Sequence, residues 1–147
     1  MKFLKYMKDG GEESRVWGFY FVEMKGLFSI ALLKFEDGSR DAYHDHAFSA
    51  ISWILKGRLE ESRRSGENVK ESVFTPSIVP IITTRDNMHK VVSRGRTWAL
   101  TFRGPWKDTW GEYLPSLKKY RTLTHGRKVV GERPENTNDQ VAVITRN

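Results

Sequence analysis

The chain has 147 residues, enough for one domain with a single core, and its 38% hydrophobic and 12% aromatic content excludes a disordered chain. It has no cysteine, which excludes disulfides, thiolate metal sites and a cysteine nucleophile. The net charge of +7 is spread along the chain without a basic, aromatic-interleaved run, so we expect a charged, solvated surface and no nucleic-acid partner.

The sequence also indicates where the protein resides. No run approaches the length of about 18 apolar residues that a membrane span needs. The first residues include lysines but lack the apolar region of a secretory signal. We therefore expect a cytoplasmic protein with no membrane partner.

Three regions are predicted along the chain. Residues 1–14 are polar and broken by glycines, which indicates a flexible or loosely docked N-terminal segment. Residues 15–131 are predicted to form the folded domain. Residues 132–147 form a polar tail, in which residues 140–147 are expected to add a short strand.

The first half of the domain is dense in aromatic and β-branched residues. Val16–Met24 and Leu27–Asp37 are predicted to form a hairpin across a Lys-Gly turn. Ile51–Ser62 is a third apolar run, and Arg63–Asn68 has the composition of a hairpin tip. Short strands with turn residues between them favour an all-β sandwich or barrel.

The second half continues this pattern. Pro76 and Pro80 interrupt a β-rich segment and belong at a sheet edge or a strand start, since proline cannot donate to a ladder. His89–Ser93 and Thr97–Gly104 are predicted to form another hairpin around a three-residue turn. Only Leu114–Tyr120 offers a short helical turn.

Two histidines one residue apart indicate a metal site. On a strand, His44 and His46 point to the same face at a spacing of about 7 Å, while Asp45 points to the other. His89 opens a later strand that would bring a third imidazole to the same point. Neutral imidazole suits zinc, iron, nickel or copper. The alternative for such a pair is an exposed strand end, and His125 is expected in a solvated loop.

The stretch from Gly38 to Gly57 resembles the first motif of the cupins, G-x5-H-x-H-x3,4-E-x6-G. Gly38, both histidines and Gly57 match it, whereas Ala50 or Ile51 stands where the family has its carboxylate ligand. For the second motif, the sequence around His89 matches only in the histidine and its strand context. This resemblance implies a single-domain cupin-type jelly-roll barrel, that is, a double-stranded β-helix.

Within the superfamily, residues 28–113 are most similar to small cupin-like proteins of bacteriophage genomes. The resemblance extends to Gly57 and Glu61 and then through later segments. These segments are His89-Lys90-Val91, Thr97-Trp98-Ala99-Leu100, Gly104-Pro105 and Trp110-Gly111. It would place the protein in the host cytoplasm, and it implies no particular reaction.

What the resemblance implies for function depends on the missing carboxylate. Some cupin dioxygenases use three histidines and no carboxylate, so the leading hypothesis is a metal-binding cupin that acts as an iron-dependent oxygenase on a small molecule. One alternative is a non-catalytic binding protein for a host factor or an anionic ligand, with a decayed metal site. Another is a cupin-type sugar isomerase or epimerase. The metal would be one divalent iron, zinc or nickel ion.

Further residues are candidates for supporting roles. Arg85, Arg103 and Glu61 are predicted to contact a substrate, because arginine suits anions and a carboxylate near the cavity mouth can support a metal-bound histidine. Asp41 is a second such carboxylate. Three tryptophans, Trp53, Trp98 and Trp110, are expected in the core or on the cavity wall. The alternating apolar face of Ile51, Trp53 and Leu55 needs cover from the N-terminal strands or a second subunit, and predicts a homodimer.

Overall fold

The computed structural model describes residues 1–11, 14–38, 42–125 and 127–135. Over these residues the chain is built from strands, with one turn of 3-10 helix at Pro115–Leu117. The strands are β1 Lys2–Lys8, β2 Val16–Met24, β3 Phe28–Phe35, β4 Tyr43–His44, β5 Ala50–Lys56, β6 Leu59–Ser65, β7 Asn68–Phe74, β8 Ile81–Thr83, β9 Met88–Ser93, β10 Thr97–Arg103, β11 Thr109–Leu114, β12 Lys119–Thr124 and β13 Val129–Pro134. In this part of the chain no helix has the length and apolar character of a membrane span.

The described strands form two antiparallel sheets. One sheet has the order β1-β2-β3-β10-β5-β8 and the other the order β13-β12-β11-β4-β9-β6-β7. Successive β10 residues alternate between the interior and the outer face, with Thr97, Ala99, Thr101 and Arg103 buried. This arrangement confirms the predicted all-β, jelly-roll architecture.

One row of directly paired residues crosses the interior face of the six-stranded sheet. It consists of Glu23, Ser29, Arg103, Ala50 and Thr83, on neighbouring strands from β2 to β8. All five residues are buried. Polar and small side chains therefore line one end of the barrel interior, where apolar side chains would otherwise fill the space.

Several local predictions are confirmed. β2 and β3 form the predicted hairpin, and the 3-10 turn lies inside the segment predicted to be helical. Pro76 and Pro80 lie between β7 and β8, the edge strands of their sheets, where a missing N–H removes no ladder hydrogen bond. The hairpin tip is narrower than predicted, because β6 and β7 leave only Gly66 and Glu67 between them.

The predicted hairpin of His89–Ser93 with Thr97–Gly104 is wrong. β9 pairs with β4 and β6 in one sheet, whereas β10 pairs with β3 and β5 in the other. The intervening turn is therefore a corner between the sheets. A short glycine-containing turn is compatible with a hairpin and with a corner between sheets. Which of the two forms depends on pairing with strands that are distant in the sequence.

Strands also form near both ends of the described chain. The N-terminal segment expected to be flexible contains β1, which pairs with β2 along its length, with Tyr6 stacked on Trp17 at 5.1 Å between ring centroids. The tail predicted from residue 132 begins inside β13, which pairs with β12. The short strand predicted at 140–147 lies outside the described residues.

Gly57 marks the point where the chain crosses from β5 in one sheet to β6 in the other. Its φ is +96°, and a Cβ there would lie 2.5 Å from Thr97 Oγ1 and 2.7 Å from the Arg96 carbonyl oxygen. The Thr97 hydroxyl in turn accepts from the Arg58 N–H at 2.9 Å and donates to the Arg58 carbonyl at 3.0 Å. The two corners of the barrel are thus packed against each other, and only glycine fits between them.

Replacing Gly57 with alanine is expected to destabilise the fold by more than about 2 kcal/mol, because positive-φ strain and steric overlap add. Gly66→Ala is the matched control, since Gly66 also has a positive φ (61°) but faces open space. It should cost about 1 kcal/mol. Urea unfolding of both variants measures the difference, and equal losses would show that the corner contact contributes nothing.

Candidate metal centre

Two strands of the seven-stranded sheet and the loop after one of them bring the histidines together. His44 ends β4 and is directly paired with His89 on β9. On its other side His44 is paired with Glu112 of β11. His46 lies two residues beyond His44, after β4 has ended, and its N–H approaches the Arg85 carbonyl at 3.5 Å. The first two imidazoles are therefore placed by strand register and the third by the loop that follows.

The three imidazoles form one compact cluster. The ring centroid of His44 lies 5.0 Å from that of His46 and 5.0 Å from that of His89, and the His46 and His89 centroids are 4.8 Å apart. One nitrogen from each ring lies within 4.8 Å of the others. This spacing is suited to a single ion bound between the rings.

Glu61 supports one of these imidazoles from β6. Its Oε1 lies 2.5 Å from His89 Nδ1, and both side chains are buried. Burial would raise the pKa of Glu61, but the hydrogen bond and charge of His89, with Arg63, outweigh it and hold the pKa below its usual range. An ionised Glu61 accepts the proton of Nδ1, and in the neutral ring with this tautomer the free lone pair is on Nε2, which faces away from Glu61.

His46 is kept neutral by its surroundings. Burial lowers its pKa well below the usual value, and the neighbouring His44, His89 and Arg103 lower it further. The Asp45 Oδ1 accepts the Gly111 N–H at 2.5 Å. The Gly111 carbonyl accepts the Asp45 N–H in return, at 3.0 Å. This pair of bonds fixes the backbone between the two histidines.

The donor set fits a transition-metal ion. His89 Nε2 and His46 Nδ1 are buried and have no hydrogen-bond partner among the described residues. A buried polar nitrogen without a partner is unfavourable, and a cation bound between the rings would satisfy it. Neutral imidazoles are ligands that zinc, iron and nickel accept, whereas magnesium and calcium prefer oxygen.

The cluster faces a cavity of about 450 Å³ inside the barrel. All four histidines of the chain line this cavity. Phe48, Trp106 and Trp110 form its aromatic wall, with the Phe48 and Trp106 centroids 4.7 Å apart. Much of the remaining lining is apolar. The cavity therefore combines a polar cluster with space for a small organic molecule.

Of Ala50 and Ile51, the two positions at which the resembled cupin motif would have its carboxylate, Ala50 lies in this cavity and Ile51 is exposed. Ala50 is buried on the interior row, directly opposite Arg103 on β10. The nearest supporting carboxylate is Glu61, which contacts His89 from behind. Within the described residues the only group of three or more potential ligand side chains is the histidine cluster.

Of the predicted substrate contacts, Glu61 and Arg103 line the cavity but Arg85 does not. Arg85 instead donates to the Pro105 carbonyl at 2.5 Å. Arg103 is buried at 4% exposure and forms an ion pair with Asp9. Asp41 lies outside the described residues.

Two expectations about ring side chains are wrong. His125 is half-buried on the cavity wall, with its ring centroid 5.4 Å from that of Trp106, and is not a solvated loop residue. Trp53 lies on the outer face beside Phe102 and donates to the Ile78 carbonyl at 3.1 Å. Trp98 lies on the same outer face of β10, because it alternates with buried Thr97 and Ala99.

Asp9 was not found by sequence reasoning, because its partner Arg103 is 94 positions away. Trp106 gave no signal either, since it follows a proline in a segment without strand periodicity. The one local feature that marks the segment around Asp9 is the Gly10-Gly11 pair, which indicates a sharp change of chain direction there.

No family model and no curated protein matches the sequence. Solved structures do match the fold. A sugar phosphate isomerase from a cupin superfamily, from Silicibacter pomeroyi, has a TM-score of 0.59 at 12% identity, covering 93% of this chain and 94% of that one. Fe(II) HppE has a TM-score of 0.55 at 13% identity, covering 67% of this chain and 55% of that chain. KdgF from Halomonas sp. has a TM-score of 0.53 at 13% identity, covering 73% and 97%.

These identities bear on architecture alone, and the described chain spans about half of the HppE chain. The two antiparallel sheets of this chain are consistent with its similarity in fold to these solved structures. The chain therefore has a cupin-type jelly-roll fold, with a three-histidine cluster inside the barrel.

Proposed function

We propose that the protein binds one divalent transition metal through His44, His46 and His89 and acts on a small molecule in the adjoining cavity. The observation that carries this proposal is the convergence of the three imidazoles, one of them fixed by Glu61 with its Nε2 buried and unpartnered among the described residues. Three protein ligands leave coordination positions for a substrate or another small ligand.

Iron is the metal we favour. Three imidazoles accept iron, and the fold is shared with a protein whose structure holds Fe(II). When bound, iron would supply oxygen activation and the redox capacity for oxygenation of the substrate. The proposed reaction class is therefore an iron-dependent oxygenation of a small molecule.

The chain's own residues would prepare the site for this chemistry. Glu61 holds the His89 proton on Nδ1, so that Nε2 is the ligand atom. Asp45 and Gly111 fix the backbone that separates His44 from His46. Phe48 and Trp106 form an aromatic wall beside His46 that would contact the apolar part of a bound molecule.

A second candidate is a non-catalytic binding protein that uses the same cavity for an anionic ligand or a host factor. Ala50 favours it, because the interior position of the family's carboxylate ligand is occupied by a methyl group. This candidate requires no metal. A purified protein that takes up neither zinc, iron nor nickel on titration would support it over the oxygenase.

The metal site is tested by metal content. The wild-type protein should bind about one zinc or iron per chain, and His44→Ala and His89→Ala should each weaken binding at least about 100-fold, since each removes one of three ligands. His125→Ala is the matched control, because His125 lines the same cavity outside the cluster. Elemental analysis and isothermal titration provide the measurements.

Stoichiometric metal that persists in both ligand variants would refute the site, as would an equal loss in His125→Ala. The oxygenation step is tested separately, by oxygen uptake of the Fe(II)-loaded protein with small thiols and carboxylic acids. Uptake that is equal in wild type and His89→Ala would contradict an iron reaction at this cluster.

Glu61→Gln should weaken metal affinity about 10- to 100-fold without removing a ligand, because a neutral amide no longer supports the His89 proton as a carboxylate does. Glu60→Gln is the control, as Glu60 points outward to Arg58 and Arg94. Competition with a chromophoric chelator gives both affinities. The supporting role fails if the two variants bind metal equally well.

The outer face of the six-stranded sheet supports the proposed homodimer. Phe102, Ile51 and Ile82 are directly paired across β10, β5 and β8, and all three are exposed, as is Leu55. The N-terminal strands lie beside this face in the same sheet and do not cover it. A second copy of the chain would bury this apolar stripe.

Light scattering at micromolar concentration should therefore give the mass of a dimer for the wild type and of a monomer for Leu55→Glu. Val73→Glu places the same charge at an exposed position on β7 of the other sheet and should leave the dimer intact. A monomeric wild type would refute the proposal.

A further inference from the structure

Arg103 is a buried cation at the edge of the cavity. Its side chain is 3% exposed and lies on the interior row directly opposite Ala50. The position at which the cupin motif would carry a negative charge is thus an alanine beside a buried guanidinium. Beside Ala50 the cavity therefore has free space next to the positive charge of Arg103.

The partner of Arg103 is the carboxylate of Asp9. Arg103 Nη1 donates to Asp9 Oδ1 at 3.2 Å, and Nη2 donates to Oδ2 at 2.5 Å. The Tyr20 hydroxyl donates to the same Oδ1 at 2.7 Å and accepts from Nη1 at 3.3 Å. One edge of the guanidinium and the Tyr20 hydroxyl together form a receptor for a planar carboxylate.

Asp9 lies on the periphery of the barrel. It follows β1, the edge strand of its sheet, and precedes Gly10 and Gly11, which have φ values of 89° and 93°. Its side chain is 20% exposed. Burial would raise the pKa of Asp9, but Arg103 and Tyr20 outweigh it and hold the pKa below its usual range. An ionised carboxylate on an edge segment can leave Arg103 without unpacking the core.

Arg103 is also close to the histidine cluster. Its Cζ lies 4.6 Å from the Phe48 ring centroid, and the His46 ring centroid lies 5.3 Å from the same ring. Asp9, Arg103 and the three histidines all line one cavity. A small molecule in this cavity can therefore approach the histidines and the guanidinium together.

We propose that the ligand of this cavity is a small organic carboxylate, whose carboxylate group exchanges with Asp9 on Arg103. This inference rests on the proposed function for the identity of the cavity as the ligand site. A neutral ligand cannot replace Asp9, because it would leave a buried guanidinium unpaired. A carboxylate can, because it restores the same two hydrogen bonds and the bond from Tyr20, and Ala50 leaves room for it. Asp9 is then an internal competitor that closes the site in the absence of ligand.

Asp9→Asn removes the competitor and tests the exchange with acetate as the probe. Acetate should bind this variant at least about tenfold more tightly than wild type, the change expected if Asp9 occupies Arg103 about nine-tenths of the time. It should also raise the melting temperature of the variant by several degrees more than that of wild type. Acetamide, the neutral analogue, and chloride at equal ionic strength should produce neither effect.

Two further variants serve as controls. The double variant Asp9→Asn with Arg103→Met lacks the receptor and should lose the acetate response. Glu132→Gln removes a carboxylate that pairs with Lys119 and Arg121 on the surface, and should respond like wild type. Fluorescence of the cavity tryptophans and differential scanning fluorimetry provide the readouts.

An equal response of Asp9→Asn to acetate, acetamide and chloride would overturn the proposal. So would a failure of this variant to fold in acetate as well as in chloride, because acetate then does not replace the missing side chain. Folding that depends on acetate would support it. Inorganic phosphate that binds more tightly than acetate would overturn the choice of a carboxylate.

The acetate titrations are made on chelator-treated and on zinc-loaded protein, with metal content measured in each variant. An acetate response in a protein that binds no metal would refute the metal site and leave the carboxylate receptor standing. Stoichiometric metal at the histidines without an acetate response would refute the receptor alone.

Discussion

Three pairs of oppositely charged side chains among the described residues fix the chain segments that surround the cavity. Glu61 is paired with His89, Asp9 with Arg103, and Glu112 with Arg127. An unpaired charge in such surroundings is strongly unfavourable, so each pair fixes the position of two chain segments at once. The first sets the direction of an imidazole, the second brings the N-terminal segment to the cavity, and the third joins β11 to the loop after β12.

The two sheets present different side chains to the cavity. On the seven-stranded sheet, three imidazoles lie together with one ring hydrogen-bonded to a carboxylate, an arrangement common among metal-binding histidines. On the facing sheet, the interior row carries Arg103 next to the small side chain of Ala50. A ligand between the sheets would thus meet the imidazole cluster on one side and the Arg103 guanidinium on the other. The small side chain of Ala50 leaves space beside Arg103 on this side of the cavity.

The parts of this arrangement that follow from short-range pattern were predictable. The proximity of His44 and His46 was expected from their spacing, although His46 lies in the loop after β4 and not on the strand. Gly57 was recognised from its spacing in the motif, and the β2–β3 hairpin follows from a turn between two β-rich runs. The route of the chain between sheets was not predictable, because a short turn is compatible with a hairpin and with a corner. The Asp9–Arg103 pair was hidden for a related reason, since nothing local to either residue indicates the other.

The two corners at Gly57 and Thr97 lie at one end of the barrel, and the functional groups lie at the other. β5 runs from Ala50 at the cavity to the corner, and β10 runs back from Thr97 to Arg103, a length of about 20 Å for each strand. The contacts that hold the sheets in register are therefore remote from the groups that face the ligand. Substitutions at the cavity end, around Ala50 and Arg103, therefore leave the corner contacts between the two sheets in place.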